Sequence, residues 1–153
     1  MCFGTMSMAK LIELEEGVFV AGQLEASDFA EIAARGFRSV VDNRPDGEVE
    51  DQLPHEAAQA AAQLHGMEFR YEPVMNVDVT DDEPVETFAQ SLADLPRPVL
   101  FYCRTGTRCT YLWAQANAER LGPDSAVKIA ARAGYDLEPI RVVLEERAGL
   151  VVA

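Results

Sequence analysis

A short apolar segment that ends at a cysteine and continues through a tight loop into a helix is the feature that most restricts the fold of this chain. Residues 98–102 are apolar and predict a buried strand. Cys103 follows at once, and residues 108–121, which end at Gly122, predict a helix. A loop that enters a helix presents unpaired backbone N–H groups and the positive end of the helix dipole. The segment therefore predicts an anion-binding loop on an α/β scaffold.

The residues of this loop suit an anion individually. Gly106 permits the positive φ that turns N–H groups inward, and Thr105 and Thr107 are small and carry hydroxyl donors. Arg108 offers a planar, two-pronged donor to an oxyanion. The same field favours the thiolate of Cys103, which predicts an activated nucleophile.

Two interpretations of the cysteines stay open at this point. Cys103 could pack as a small hydrophobe, but the strand-to-helix setting, the glycine and the arginine favour a catalytic loop in which the backbone N–H groups from Arg104 to Arg108 cradle the transferred group. Cys109 could also simply pack, or it could pair with Cys103 across the loop as a redox partner.

Strands and helices alternate along the rest of the chain. The predicted strands are 11–15, 18–21, 37–41, 67–74 and 98–102, and the predicted helices lie between Ser27 and Gly36 and over 54–64, 85–95, 108–121, 125–132 and 139–147. This order predicts a single α/β domain over residues 10–153, with a mostly parallel central sheet flanked by helices, after a disordered start over residues 1–9.

Composition narrows the function classes. The 153 residues carry a net charge of −13, which disfavours nucleic acid and anionic lipid as partners. Three cysteines without a framework spacing predict free thiols in a reducing, cytoplasmic setting. We expect no leader, no membrane-spanning segment, no metal and no cofactor, and we expect surface or packing roles for His55 and His65.

A second loop is expected at the same edge of the sheet. Residues 44–48 follow the predicted strand 37–41, and ligand sites in such sheets lie at the carboxyl ends of strands. Arg44 could contact an anionic substrate, and Asp46 could orient Arg44 or Arg108. The alternative for Asp46 is ordinary turn chemistry beside Gly47.

Taken together, the motifs resemble a known family. Five segments carry the resemblance: Ala21-Gly22-Gln23-Leu24, Asn43-Arg44-Pro45-Asp46-Gly47-Glu48, Tyr102-Cys103-Arg104-Thr105-Gly106-Thr107-Arg108, Leu112-Trp113-Ala114 and Ala133-Gly134-Tyr135-Asp136-Leu137. They are similar to the bacterial phosphatase-like domain family of β-lactamase-hydrolase-like proteins, within the cysteine-dependent protein-tyrosine-phosphatase-like superfamily. The resemblance implies a phosphatase-like α/β fold and either phosphate ester hydrolysis or transfer of sulfane sulfur. Fusion of relatives to persulfide dioxygenase domains favours sulfur chemistry.

The chain departs from the superfamily pattern at three places. Tyr102 stands where a histidine usually precedes the nucleophile, and Cys109 stands where a serine or threonine usually follows the arginine, with Thr110 next. The loop also has four residues between Cys103 and Arg108, one fewer than superfamily phosphatases have.

The shorter loop favours sulfur transfer. One residue fewer removes roughly 3.3–3.6 Å of contour and one N–H donor. A phosphoryl group has three equatorial oxygens to hold, whereas a persulfide has one terminal sulfur. We therefore expect a rhodanese-type sulfurtransferase that takes sulfur from thiosulfate or a persulfide and passes it to a thiol such as glutathione. The alternatives are a phosphatase acting through a Cys103 phosphocysteine, and a non-catalytic anion-binding or redox-sensing module.

The phosphatase alternative requires a general acid. Members of the superfamily carry this acid in a loop that corresponds to residues 78–84. Asp81, three residues before Pro84, is the candidate, with Asp78 and Asp82 behind it. The competing interpretation is a solvated acidic loop that caps the next helix.

Overall fold

The central sheet has five strands. The structure, a computed structural model, describes residues 10–150, so the segment 1–9 that was predicted to be disordered lies outside it. The strands are β1 Ile12–Glu15, β2 Val18–Ala21, β3 Ser39–Asp42, β4 Glu68–Tyr71 and β5 Val99–Tyr102. They pair in the order β1-β2-β5-β3-β4, and every pair except the β1–β2 hairpin is parallel. The predicted α/β fold with a mostly parallel sheet is confirmed.

The helices cover both faces of this sheet. They are α1 Asp28–Ala34, α2 His55–Leu64, α3 Asp82–Asp94, α4 Thr107–Ala116, α5 Ala118–Leu121, α6 Pro123–Ala133 and α7 Arg141–Arg147, with short 3₁₀ turns at Asn76–Asp78 and Glu138–Ile140. Within the described residues, no helix has the length and apolar character needed to cross a membrane.

Two boundaries differ from the sequence prediction for physical reasons. The helix predicted over 108–121 is divided at Asn117, whose side-chain amide donates to the Trp113 carbonyl at 2.8 Å and whose φ of −114° lies outside the helical range. The strand predicted over 67–74 is shorter, because its partner β3 ends at Asp42, which lies opposite Tyr71.

The alternation of side chains along β5 divides the core in two. Leu100 and Tyr102 pack on the face covered by α1 and α2. Phe101 and Cys103 pack on the other face, where α3, α4, α6 and α7 supply the apolar partners. Because both faces of β5 are buried, its residues form a continuous apolar run in the sequence.

The parallel strands place several loops at one edge of the sheet. The residues that follow β2, β3 and β5 meet there, and the backbone N–H of Gln23 donates to the Arg104 carbonyl at 3.1 Å. A Cβ on Gly22 would lie 2.9 Å from the same carbonyl oxygen, so the glycine permits the close approach of the two loops.

Candidate active site

Cys103 lies at the floor of the loop formed by residues 103–108. Its side chain is fully buried, and the backbone N–H of Gly106 donates to its sulfur at 3.1 Å. Gly106 has a φ of 91°, in the left-handed region that favours glycine, and it directly precedes α4. The loop therefore turns at least one main-chain donor towards the sulfur, as the sequence predicts.

Hydrogen bonds lower the pKa of Cys103 to about 6, and the largest contribution is the side-chain hydrogen bond from Cys109. Burial opposes this shift, while the backbone N–H groups of Cys109, Thr105 and Gly106 support it. Cys103 is therefore largely a thiolate at neutral pH, the form that a nucleophile requires.

Cys109 supplies a thiol donor at the place where superfamily members usually carry a hydroxyl. Burial raises the pKa of Cys109 well above its ordinary value, so it stays protonated when Cys103 is ionised. Its S–H proton has two acceptors, the Cys103 sulfur and Asn43 Oδ1 at 3.4 Å. Thr110 does not take over this role, because its hydroxyl donates to the Gly106 carbonyl at 2.8 Å.

Three hydrogen bonds hold the Arg108 guanidinium group and leave part of its donor edge available. Its Nη1 donates to Glu48 Oε2 at 2.8 Å and to the Val74 carbonyl at 3.0 Å, and its Nη2 donates to Glu48 Oε1 at 2.8 Å. These contacts use three of the five guanidinium protons. Nε–H and the second Nη2 proton form no hydrogen bond with any residue in the described part of the chain. They form an adjacent pair of donors suited to an oxyanion.

Glu48 is the functional residue that the sequence analysis missed. It accepts both prongs of Arg108 and also the Nε–H of Arg44 at 2.8 Å. The hydrogen bond from Arg108 is the main reason why the pKa of Glu48 falls to about 2. The resemblance segment 43–48 contains this glutamate, but one sequence offers no signal that it reaches a loop sixty residues away.

Arg44 lies behind Glu48. It is 3% exposed, and its Nη1 donates to Gln23 Oε1 at 3.0 Å. The geometry makes Arg44 a positioning residue for Glu48, while direct contact between Arg44 and a substrate stays a prediction.

The expectation that Asp46 orients Arg44 or Arg108 is wrong, because Glu48 makes these contacts. Asp46 instead accepts the backbone N–H of His55 at 2.8 Å and lies 2.6 Å from the His55 ring nitrogen Nδ1. It therefore holds the start of α2, as a turn residue can. His55 in turn stacks on Tyr71 with a centroid distance of 3.8 Å.

The remaining loop residues hold the shape of the loop. The hydroxyl groups of Thr105 and Thr107 bond to each other at 2.9 Å, and the Arg104 side chain is exposed. Tyr135, at the end of the resemblance, donates from its hydroxyl to the Thr105 carbonyl at 3.0 Å. A Cβ on Gly106 would overlap this hydroxyl, so the position of the Tyr135 side chain requires a glycine at position 106. Whether Arg104 or the two threonines contact a substrate stays a prediction.

Tyr102 occupies the place of the usual histidine, but it points away from Cys103. Its ring lies in the core under α1 and α2, beside Asp42 on the neighbouring strand. Burial raises the pKa of Asp42 to about 7, and Asp42 Oδ1 accepts the backbone N–H of Arg44 at 2.8 Å. Asp42 therefore supports the loop that carries Arg44 and Glu48.

Asp81 is the residue directly before α3 and lines a cavity of about 660 Å³. Asp78 and Asp46 line the same cavity, whereas Cys103 and Arg108 do not. The cavity nevertheless adjoins the loop, because its wall includes Val74, whose carbonyl binds Arg108, and Asn43, whose side chain binds Cys109. Asp82, which with Asp78 is an alternative candidate for the acid, forms an ion pair with Arg147, with Asp82 Oδ1 at 3.1 Å from Arg147 Nη1.

The fold and the nucleophile loop define the class of protein. The structure of kinase associated phosphatase superposes on the chain with a TM-score of 0.72 at 13% identity, and the match covers 99% of both chains. At this identity the match shows the fold alone, which is a largely parallel sheet with a cysteine loop that enters a helix.

Sequence comparison identifies the family within this class. The family described as Beta-lactamase hydrolase-like protein, phosphatase-like domain, matches residues 10–120, so the chain belongs to it. A candidate phosphatase from Neisseria meningitidis Z2491 is 34% identical, with a TM-score of 0.81 over 89% of this chain and 96% of that one. The Beta-lactamase hydrolase-like protein of Xylella fastidiosa Temecula1 is 31% identical over 84% of this chain, which spans 30% of that relative's length. The family resemblance seen in the sequence is confirmed.

The thiol pair gives the first prediction. Replacing Cys109 by Ala should raise the pKa of Cys103 above about 6, because the thiolate loses its largest stabilising hydrogen bond. Cys109→Ser keeps a donor and should stay closer to the parent. Ultraviolet absorbance of the thiolate, read against the matching Cys103→Ser protein at each pH, measures both midpoints. An unchanged midpoint in Cys109→Ala would refute the role of Cys109 as donor.

The ion pair gives the second prediction. Glu48→Gln should lower the free energy of unfolding at neutral pH by about 1–3 kcal/mol, because two buried guanidinium groups lose their shared acceptor. The folded-state pKa of Glu48 is lowered from 4.5 to about 2, so its stabilisation is complete above pH 4.5 and is lost as the pH falls towards 2. Denaturant unfolding across this range measures the difference.

Glu50 is the matched control for this experiment. It is an exposed acid in the same loop, and Glu50→Gln should change stability by less than about 0.5 kcal/mol. Equal stability of the two variants at neutral pH would show that the contact between Glu48 and Arg108 does not hold the site together.

Proposed function

We propose that the chain is a phosphoric monoester hydrolase that acts through a phosphocysteine on Cys103. The observation that carries the proposal is the supply of donors around the Cys103 thiolate. The backbone N–H groups of Thr105, Gly106 and Cys109 stabilise the sulfur, and Arg108, whose charge interacts with the Cys103 thiolate, adds two free N–H groups. The relatives with phosphatase names support the same choice.

This donor set removes the argument from loop length that favoured sulfur transfer. The shorter loop lacks one residue, but Cys109 lies in the first turn of α4, where backbone N–H groups have no helical acceptor. Its N–H bonds to the Cys103 sulfur, so the shorter loop still offers the main-chain donors of Thr105, Gly106 and Cys109. The three equatorial oxygens of a phosphoryl group then have enough partners.

The proposed reaction has two steps. The Cys103 thiolate attacks phosphorus, the bond from phosphorus to the ester oxygen breaks, and Asp81 gives its proton to the leaving oxygen. Water then attacks the phosphocysteine, Asp81 accepts a proton from that water, and the S–P bond breaks to release inorganic phosphate and the thiolate. Arg108 holds the phosphoryl oxygens in both steps.

The third prediction separates phosphoryl transfer from sulfur transfer. Wild-type protein should hydrolyse p-nitrophenyl phosphate and an alkyl phosphate, and Cys103→Ser should abolish both activities. Asp81→Asn should slow the alkyl ester by about 10²–10⁴. It should slow the nitrophenyl ester much less, because nitrophenolate is a stable leaving group. Steady-state kinetics of both esters measure these effects.

Asp82→Asn is the matched control, since Asp82 is adjacent in sequence but pairs with Arg147 outside the cavity. Thiosulfate with glutathione tests the competing chemistry: Cys103 would attack the outer sulfur, release sulfite and pass that sulfur to the glutathione thiol. Efficient turnover of thiosulfate with a trapped Cys103 persulfide, and no phosphate release, would overturn the proposal in favour of a sulfurtransferase.

A redox role for Cys109 is a second proposal, supported by the contact between its thiol and the Cys103 sulfur. Hydrogen peroxide would oxidise the Cys103 thiolate to a sulfenic acid. The Cys109 thiol would then attack that sulfur, forming a disulfide and releasing water.

The fourth prediction follows from this scheme. Mild peroxide treatment should remove two hydrogen atoms from the peptide pair that contains Cys103 and Cys109 and inactivate the enzyme, and dithiothreitol should restore it. Mass spectrometry identifies the linked peptides. In Cys109→Ala, oxidation should instead proceed to the irreversible acids. Equal recovery of parent and variant after the same treatment would rule out a protective disulfide.

A further inference from the structure

The cavity beside the nucleophile loop has the position of a leaving-group site. Its volume of about 660 Å³ lies within the range of small-molecule sites. It opens between the loop after β3, the residues after β4 and the first turns of α3. Val74 forms part of its wall and binds Arg108 through its carbonyl at 3.0 Å. A group bound in the cavity would therefore lie next to a phosphoryl group bound by Arg108.

The position of the proposed acid indicates which part of the substrate enters the cavity. Phosphoryl transfer places the attacking and leaving atoms roughly in line across phosphorus. Asp81 can protonate the leaving oxygen only if that oxygen lies on the side of the cavity that Asp81 lines. The cavity therefore receives the alcohol or phenol part of the ester.

The apolar lining suits an aromatic or hydrocarbon group. Tyr71 contributes a ring, and Pro45, Pro73 and Met75 contribute further apolar surface. The Tyr71 ring is held in place by stacking on His55, so it is presented as a fixed surface rather than as a mobile side chain. Phe88 is only 1% exposed and belongs to the core behind the cavity, where it packs against Phe101.

The polar lining is negative. Five acidic residues line the cavity: Asp46, Glu72, Asp78, Asp81 and Glu83. Asp46 is bonded by His55, and Glu72 accepts from Ser91 and lies 3.9 Å from Arg70. The other three form no ion pair with any residue between 10 and 150. The lining contains no lysine, arginine or histidine.

We propose that the natural substrate is a phosphate monoester whose leaving group combines an aromatic or apolar body with a positively charged amine. This inference rests on the proposed phosphatase activity and adds the substrate class. The amine would lie near Asp78 and Glu83, and the body would lie against Tyr71 and Met75. Esters whose alcohol or phenol carries a carboxylate, and substrates with further phosphate groups, would be repelled by the same carboxylates.

Three esters with the same phenolic leaving oxygen test the proposal: phosphotyramine, p-ethylphenyl phosphate and phosphorylated p-hydroxyphenylpropionate. They differ in side-chain charge, which is positive, zero and negative. The kcat/KM should fall in that order, by about tenfold at each step at low salt. The difference should appear mainly in KM and should shrink at high salt.

Two variants localise the effect. Glu83→Gln should reduce the preference for the amine over the carboxylate several-fold, because it removes a cavity carboxylate that has no ion pair. Glu86→Gln removes the same charge from the same helix but outside the cavity lining, so it should leave the preference unchanged. Equal effects of the two variants would attribute the preference to the overall charge of the protein and refute the site.

The outcomes separate this inference from the proposed function. Equal kcat/KM for the three esters, or a preference for the carboxylate, with hydrolysis that still requires Cys103, would overturn the amine site and leave the phosphatase intact. Failure to hydrolyse the three esters and p-nitrophenyl phosphate would overturn the phosphatase itself, and the leaving-group site with it.

Discussion

The two-pronged ion pair between Glu48 and Arg108 is the contact on which the site depends. It joins the loop after β3 to the first turn of α4, two segments that the sheet brings to one edge and that the weaker contact between Cys109 and Asn43 also links. Because Glu48 also binds Arg44, and Arg44 binds Gln23 after β2, the pair extends into a chain of contacts across three parallel strands. The guanidinium of Arg108 is thus fixed before any substrate arrives, which is the preorganisation that catalysis of group transfer requires.

The two thiols of the site show how environment separates chemically identical groups. Cys103 accepts hydrogen bonds at the start of a helix and ionises near a pH of about 6, whereas Cys109 is one turn further into the core and stays protonated. Their opposite shifts suit Cys103 to the role of nucleophile that is proposed for it and Cys109 to the role of hydrogen-bond donor. A serine or threonine would supply the same donor, but a thiol adds the capacity for oxidation, so the substitution of sulfur for oxygen changes redox chemistry more than it changes hydrogen bonding.

The parts of the site that the sequence predicts are the local ones. The nucleophile loop could be identified because Cys103, Gly106 and Arg108 lie within six residues, and the strand and helix around them have strong patterns of their own. Glu48 could not, because its role depends on a contact between segments sixty residues apart. Asp46 stands out in the sequence because it lies in a turn beside Gly47, whereas Glu48 has no such local signal. The donor role of Cys109 depends on side-chain direction within the first turn of α4, which spacing alone does not fix.

The balance of charge in the site bears on how it would favour a transition state over a bound ester. The guanidinium groups of Arg44 and Arg108 are offset by the Glu48 carboxylate and the Cys103 thiolate, so the buried site is nearly neutral before the reaction. In the proposed reaction, an incoming phosphate ester would be held by hydrogen bonds and dipoles more than by net charge. As the sulfur attacked phosphorus, the thiolate would lose its negative charge to the phosphoryl oxygens and the leaving group. Arg108 would then be opposed by one fewer anion at the sulfur, and its free Nε–H and Nη2–H groups would be available to the charge that develops on the oxygens. The interaction would become stronger during the reaction than before it, which is the condition for a contact to raise kcat rather than merely tighten binding.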